Sequence, residues 1–390
     1  MTSPLRTRDQ HLACDGRPKR ILTLDGGGLR GILTLGILEQ LEKTLATRHH
    51  AGEAFRLHHY FDLVAGTSTG AIIASLIALG WSVGEITEKY FELGRDVFER
   101  SPFRLGLLRA KYDKNALAAR LQKLLGAETQ LDSDRLLTGL LIISKRLNTG
   151  SVWPLANNPR GRYFRAREGH DFLPNGEYLL WQVVRASTAA PGYFEGEDIA
   201  ISAPAGRNPE VGHFVDGGVS PHNNPALQAL MYATIDGYRL CWPSGAGQLL
   251  LVSVGTGSRD PSVNPMKVTA GHALQCLVAM MDDCGSLVET MLQWLSNSRS
   301  PTTIDRELGD LGDDLAGSEP MLTYLRYNVD LRPDRVQELL GNEAPDAKVL
   351  ASLSEMDAPE NMPILSQLGK AGGKQQIQSH HFPARFDLHG

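Results

Sequence analysis

Three short segments carry residue types at spacings suited to chemistry. Gly66-Thr67-Ser68-Thr69-Gly70 is a G-x-S-x-G run. Its flanking glycines permit a sharp strand-to-helix bend that lifts a serine hydroxyl above a sheet edge. A helix N-terminus directly behind Ser68 would favour the negative charge of an alkoxide. A plain helix cap is the bland alternative for this serine. Asp25-Gly26-Gly27-Gly28-Leu29-Arg30-Gly31 contains G-x-G-x-x-G at Gly26, Gly28 and Gly31. Such a loop lets backbone N–H groups approach a pyrophosphate or a developing oxyanion. The dinucleotide reading also needs an acidic residue about 20 positions on, at the end of the next strand. Glu42 falls inside the first helix instead, and the second strand runs into GTSTG. A glycine turn made only for tight packing remains the alternative.

A serine hydroxyl needs a base to become a useful nucleophile. The third segment, Asp216-Gly217-Gly218, places a carboxylate at a strand end before two glycines. A simple turn initiator is the competing reading for Asp216. His213 lies three residues earlier in the same strand, so alternation points it to the other face. His222 sits in a loop and keeps a Ser-His-Asp triad open. His49, His50, His58 and His59 cluster in sequence. No carboxylate spacing supports a metal there, and a solvated helix and loop is expected.

The elements that must position these residues alternate. RILTL (20–24) and FDLVA (61–65) read as short buried strands, each ending in one of the glycine segments. Further strands are expected at 139–144, 151–155, 213–216 and 248–254. Ile32, Leu35, Leu38, Leu41 and Leu45 form one helical face, and 71–79 is a helix apolar on nearly every side. Helices are also expected across 84–125, at 181–190 and over the Met- and Leu-rich stretch 271–295. The last reads either as a helix packed on the sheet or as a greasy wall over an acyl site. Strands alternating with helices predict a three-layer α/β/α fold around a mainly parallel sheet.

The chain has 390 residues, 42% hydrophobic and 21% charged, with a net charge of −5. That excludes wholesale disorder and collagen-like repeats. No basic surplus points to nucleic acid. Cys14, Cys241, Cys276 and Cys284 form no disulfide framework and no CxxC pair. The polar N-terminus lacks a signal-peptide core, so a cytoplasmic protein is expected. Organisation is expected as a loose leader (1–19), a catalytic domain (20–295), a C-terminal extension packing on it (296–368) and a flexible tail (369–390). Within the extension, 298–320 reads as a mobile loop.

The segments DGGGLRG, GTSTG and DGG, in this order, resemble the patatin-like phospholipase family. RASTAAPGYF (185–194), VSPHNNPA (219–226) and LVSVGTG (251–257) add to the resemblance, which covers residues 20–258. It implies a catalytic dyad with Ser68 as nucleophile and Asp216 as its base. It further implies an oxyanion hole in the Gly26, Gly27 and Gly28 loop with Arg30 in support, and Gly31, Gly66, Gly70, Gly217 and Gly218 as motif glycines. The implied activity is hydrolysis of fatty acyl esters of glycerophospholipids, with no metal or other cofactor. Implied partners are a membrane phospholipid substrate and a peripheral membrane contact. Some bacterial relatives look like nucleotide-activated antiviral effectors, which leaves room for a nucleotide activator and a homo-oligomer. The alternatives are an α/β-hydrolase-type esterase and a catalytically silent lipid- or nucleotide-binding regulator.

Overall fold

The computed structural model describes residues 6–97, 112–203, 208–258 and 269–388. Among these residues one nine-stranded sheet is formed. Its strands are β1 (Lys19–Leu24), β2 (Leu63–Thr67), β3 (Gly139–Arg146), β4 (Ser151–Ala156), β5 (Glu197–Ser202), β6 (Glu210–Asp216), β7 (Leu249–Val254), β8 (Ser296–Ser300) and β9 (Leu322–Tyr327). The order is β5-β6-β3-β2-β1-β7-β9-β8, with β4 paired to β3. From β3 through β8 every neighbour is parallel, while β4, β5 and β6 are antiparallel additions.

The helices are α1 (Arg8–Leu12), α2 (Gly31–Arg48), α3 (Leu57–Tyr60), α4 (Thr69–Ala78), α5 (Val83–Val97), α6 (Lys114–Leu125), α7 (Leu180–Ser187), α8 (Ala226–Thr234), α9 (Thr269–Trp294), α10 (Pro333–Leu340), α11 (Ala347–Ser352) and α12 (Met362–Gln376). They cover both faces of the sheet, giving the expected three layers. In β1, Leu22 and Leu24 pack with Leu41 of α2, Ile73 of α4 and Leu365 of α12. Ile21 points the other way, to Leu12 of α1, Leu230 of α8 and Leu292 of α9. Because both faces are covered, β1, β2, β7 and β9 are buried at every residue, which is why they read as apolar runs rather than alternations.

One local arrangement of the sheet positions the site. β4 occupies one flank of β3 from Leu141 to Arg146. On the opposite flank β2 pairs with Gly139–Ile143, and antiparallel β6 pairs with Ser144–Arg146. β2 and β6 therefore run toward each other along the same flank, and their C-terminal ends meet.

Three organisational expectations are corrected. Residues 6–19 are anchored: buried Asp62 holds Arg6 at 2.7 Å and His11 at 2.9 Å, and Lys19 opens β1. There is no boundary at 295/296, because β9 is hydrogen-bonded to β7 inside the central sheet and β8 extends it. The 298–320 stretch thus begins inside a strand. The stretch 369–388 is packed: a Cβ on Gly36 would lie 2.7 Å from Lys370 N, so α12 sits directly on α2, and Phe382 and Phe386 are buried. Close helix approach needs small residues, so the glycines that suggested flexibility serve contact instead.

Candidate active site

Ser68 follows the last residue of β2 and caps α4 with φ +55° and ψ −123°. This is a left-handed backbone for a residue with a side chain, a strain that persists only where the surroundings impose it. They do so through close approach. A Cβ on Gly66 would run into Gly70 O, and one on Gly70 into Leu24 O. The bend therefore requires glycine on both sides of the serine. The Ser68 N–H donates to Ser187 Oγ at 2.9 Å, and that hydroxyl donates to Ile143 O at 2.6 Å. Ser187, in the RASTAAP stretch, thus pins the strained turn to β3.

The Ser68 hydroxyl donates to Asp216 Oδ2 at 2.6 Å. The other oxygen, Oδ1, accepts the Gly218 N–H at 2.7 Å. Asp216 is 4% exposed. Burial raises its carboxyl from 3.8 to about 6, against the Ser68 and Gly218 hydrogen bonds and the attraction of Arg185. The motif glycine Gly217 packs beneath the pair, where a Cβ would strike Ile143 O.

The glycine loop lies against the Ser68 turn, since a Cβ on Gly26 would lie 3.1 Å from Ser68 Cβ. Gly27, Gly28, Ser68 and Asp216 line an apolar cavity together with Leu29, Ile72, Phe194, Val278 and Met281. Gly28 takes φ +59°. Tyr90 donates to its carbonyl at 2.7 Å, and the Tyr90 hydroxyl also meets Thr69, so the loop is tied to the first turn of α4. Gly31 lies against the same pair, with no room for a Cβ.

One position differs from expectation. The Gly26 N–H is occupied by Asn223 O at 3.0 Å, and Gly26 O accepts from Thr256 Oγ1 at 3.0 Å, so Gly26 is structural and does not face the cavity. Arg30 donates to Gly257 O at 3.1 Å, bracing the loop from behind. Asn223 came from VSPHNNPA and Thr256 from LVSVGTG, two stretches whose sequence signal carried no assigned role.

Histidine does not complete a triad among the described residues. His213 bonds Asp198 at 2.5 Å, on the outer face. The His222 carbonyl accepts from Thr67 Oγ1 at 2.7 Å, while its half-buried ring bonds neither Ser68 nor Asp216. Burial also lowers the His222 pKa, favouring neutral imidazole. The His49–His59 group is not simply solvated, since His58, within α3, is buried. The Met-rich helix is both core and wall: Leu292 is fully buried, Met281 lines the cavity, and Met280 is 62% exposed.

This fold and site define a protein of the patatin class. Residues 22–230 match the family model described as patatin-like phospholipase, and the chain belongs to that family. It is 30% identical over 257 residues to a cGAMP-activated phospholipase of Escherichia coli, covering 65% of this chain and 66% of that one. It is 29% identical over 326 residues to the calcium-independent phospholipase A2-gamma of Mus musculus, covering 80% of this chain and 35% of that one. Among solved structures it is similar to human GIVD cytosolic phospholipase A2, with a TM-score of 0.41 at 13% identity over 93% of this chain and 60% of that one. The alignments thus span less than two thirds of these relatives' own lengths.

Proposed function

We propose that the chain is a lipid acyl hydrolase that cleaves fatty acyl esters of glycerophospholipids through a Ser68–Asp216 dyad. The observation that carries this reading is the 2.6 Å hydrogen bond from a strained elbow serine to a buried carboxylate, both lining an apolar cavity. The family membership and the phospholipase relatives support it.

The chemistry follows from the geometry. Asp216 Oδ2 takes the Ser68 proton as Oγ attacks the ester carbonyl carbon. The resulting tetrahedral oxyanion rests against the N–H groups of Gly27 and Gly28, in an apolar setting that strengthens such hydrogen bonds. One donor of this kind contributes about 10²–10³ in rate. Protonated Asp216 gives its proton to the leaving lysophospholipid oxygen, and an acyl-Ser68 ester remains. Asp216 then deprotonates a water that attacks the acyl ester, freeing the fatty acid and restoring Ser68. The apolar lining holds the acyl chain, since burying each methylene contributes about 0.8 kcal/mol.

The substrate lies in a bilayer, and among the described residues no helix is long and apolar enough to cross a membrane. Contact would be peripheral and reversible, through apolar surface beside the cavity such as exposed Met280. The name of the E. coli relative supports a nucleotide switch. The test is hydrolysis of phosphatidylcholine vesicles with distinguishable sn-1 and sn-2 chains, with and without cGAMP. Ser68-dependent release of fatty acid is expected. Intact lipid under both conditions would reject the activity, and equal rates would reject the switch.

A further inference from the structure

The glycine loop is preceded by Asp25, a buried carboxylate that faces away from the reacting groups. Its partner is Arg326, the next-to-last residue of β9 and about a hundred residues beyond the family-model match. The pair is bidentate: Arg326 Nη2 donates to Asp25 Oδ2 at 2.7 Å and Nη1 to Oδ1 at 3.2 Å. Both side chains are more than nine-tenths buried. Nη1 also donates to Ser253 Oγ at 2.8 Å, one residue before the end of β7.

On its other side Arg326 faces α9. Its Nε lies 3.3 Å from Glu289 Oε2. Glu289 is in turn held by the Thr302 hydroxyl, and Gln293 fixes Thr302 through its backbone N–H at 2.9 Å and carbonyl at 3.0 Å. About two and three turns up the same helix, Met281 and Val278 wall the cavity. One guanidinium therefore joins the root of the glycine loop, the end of β7 and the helix that closes the acyl cavity.

We propose that Arg326 is a positioning residue: it holds the Gly27–Gly28 loop and the α9 wall in register around Ser68. The assignment rests on the function proposed above. The physical ground is that a rigid planar fork matches a carboxylate in two hydrogen bonds, which fixes orientation as well as distance. An oxyanion donor misplaced by an ångström loses much of its effect. Breaking a buried pair by removing one partner also leaves an uncompensated charge, which the loop root would relieve by moving toward water.

The test uses Arg326→Met, Arg326→Lys and Glu289→Gln in the full chain. Amide hydrogen exchange is read for the segments 25–30 and 278–289, together with kcat and KM on a soluble p-nitrophenyl ester. Arg326→Met is expected to speed exchange in both segments at least tenfold, with β1–β3 protected as before. It should lower kcat about 10²-fold with KM within threefold. Arg326→Lys, with one charge but no fork, should fall between, and it carries the test if the methionine variant does not fold. Glu289→Gln should loosen 278–289 alone. Unchanged exchange at 25–30 in the Arg326 variants would overturn the inference whatever the turnover. So would exchange that rises equally over the whole sheet. A wild type without Ser68-dependent hydrolysis would instead sink the functional reading, while the exchange result still decides the positioning role.

Discussion

Thr67 and Asp216 are consecutive neighbours along one flank of β3: Thr67 lies opposite Ile143, and Asp216 opposite Ser144. The residue after Thr67 is Ser68, so the register of two strands meeting end to end delivers the hydroxyl to the carboxylate. A slip of one residue in β6 would move Asp216 by about 3.3 Å and turn its side chain to the other face. The dyad distance is thus a property of the sheet.

Replacing the nucleophile tests the site most directly. Ser68→Ala should lower kcat about 10⁶-fold while the thermal unfolding curve stays in place. His213→Ala and His222→Ala should keep substantial turnover, since neither ring touches the dyad. If His222→Ala were as inactive as Ser68→Ala with its fold intact, the dyad would give way to a triad.

The raised Asp216 carboxyl sets a pH dependence. Its base form predominates only above about pH 6, so kcat/KM should climb tenfold per pH unit below that value and level off above it. A profile on a soluble ester checks this. A plateau extending down to pH 4 would contradict it.

The same shift bears on stability, with the opposite sign. A carboxyl raised on folding contributes full stability below its unfolded value of 3.8, and that contribution is lost as pH rises through about 6. Asp216→Asn removes the penalty for burying the charge. The inactive variant should therefore be more stable than wild type at pH 8, by up to about 3 kcal/mol. Denaturant unfolding at pH 4.0 and pH 8.0 measures the difference, which should shrink at the lower pH.

Ser187→Ala would leave the Ser68 N–H without its partner. An unsatisfied buried donor costs about 1–3 kcal/mol, and here it also frees the strained turn. We expect kcat on a soluble ester to fall ten- to hundredfold with KM little changed. Ser187→Thr, which restores a hydroxyl, should recover part of the loss. Wild-type kcat in Ser187→Ala would show that the elbow needs no such pin.

Helix α9 presents three environments that mutation can separate. Leu292→Ala should destabilise the fold by about 2–5 kcal/mol, as for other buried leucines. Met281→Ser should raise KM for long acyl chains more than for short ones, since Met281 lines the cavity. Met280→Ser should leave stability and soluble-ester turnover alone and reduce vesicle hydrolysis, if this exposed side chain meets lipid. Unchanged vesicle hydrolysis would put the membrane contact elsewhere.

The nucleophile elbow and the glycine loop could be read from the chain because each depends on neighbours a few positions apart. A strand, two glycines around Ser68 and an apolar helix are local features, and the close approach of Gly66 to Gly70 O follows from them. The layered α/β class could be read for the same reason, from runs such as LLLVSV that suit a strand covered on both faces. The union of Ser68 with Asp216 is different, since 148 positions separate them. Backbone hydrogen bonds can join almost any two extended segments, so which strand ends meet is decided only when all nine strands pack. Arg326 shows the limit most clearly. Nothing within LTYLRY singles it out, yet it is buried in β9 and paired with Asp25 at the root of the glycine loop. A charge can be held inside a protein only when distant residues supply its partners, and the tertiary structure alone brings them there.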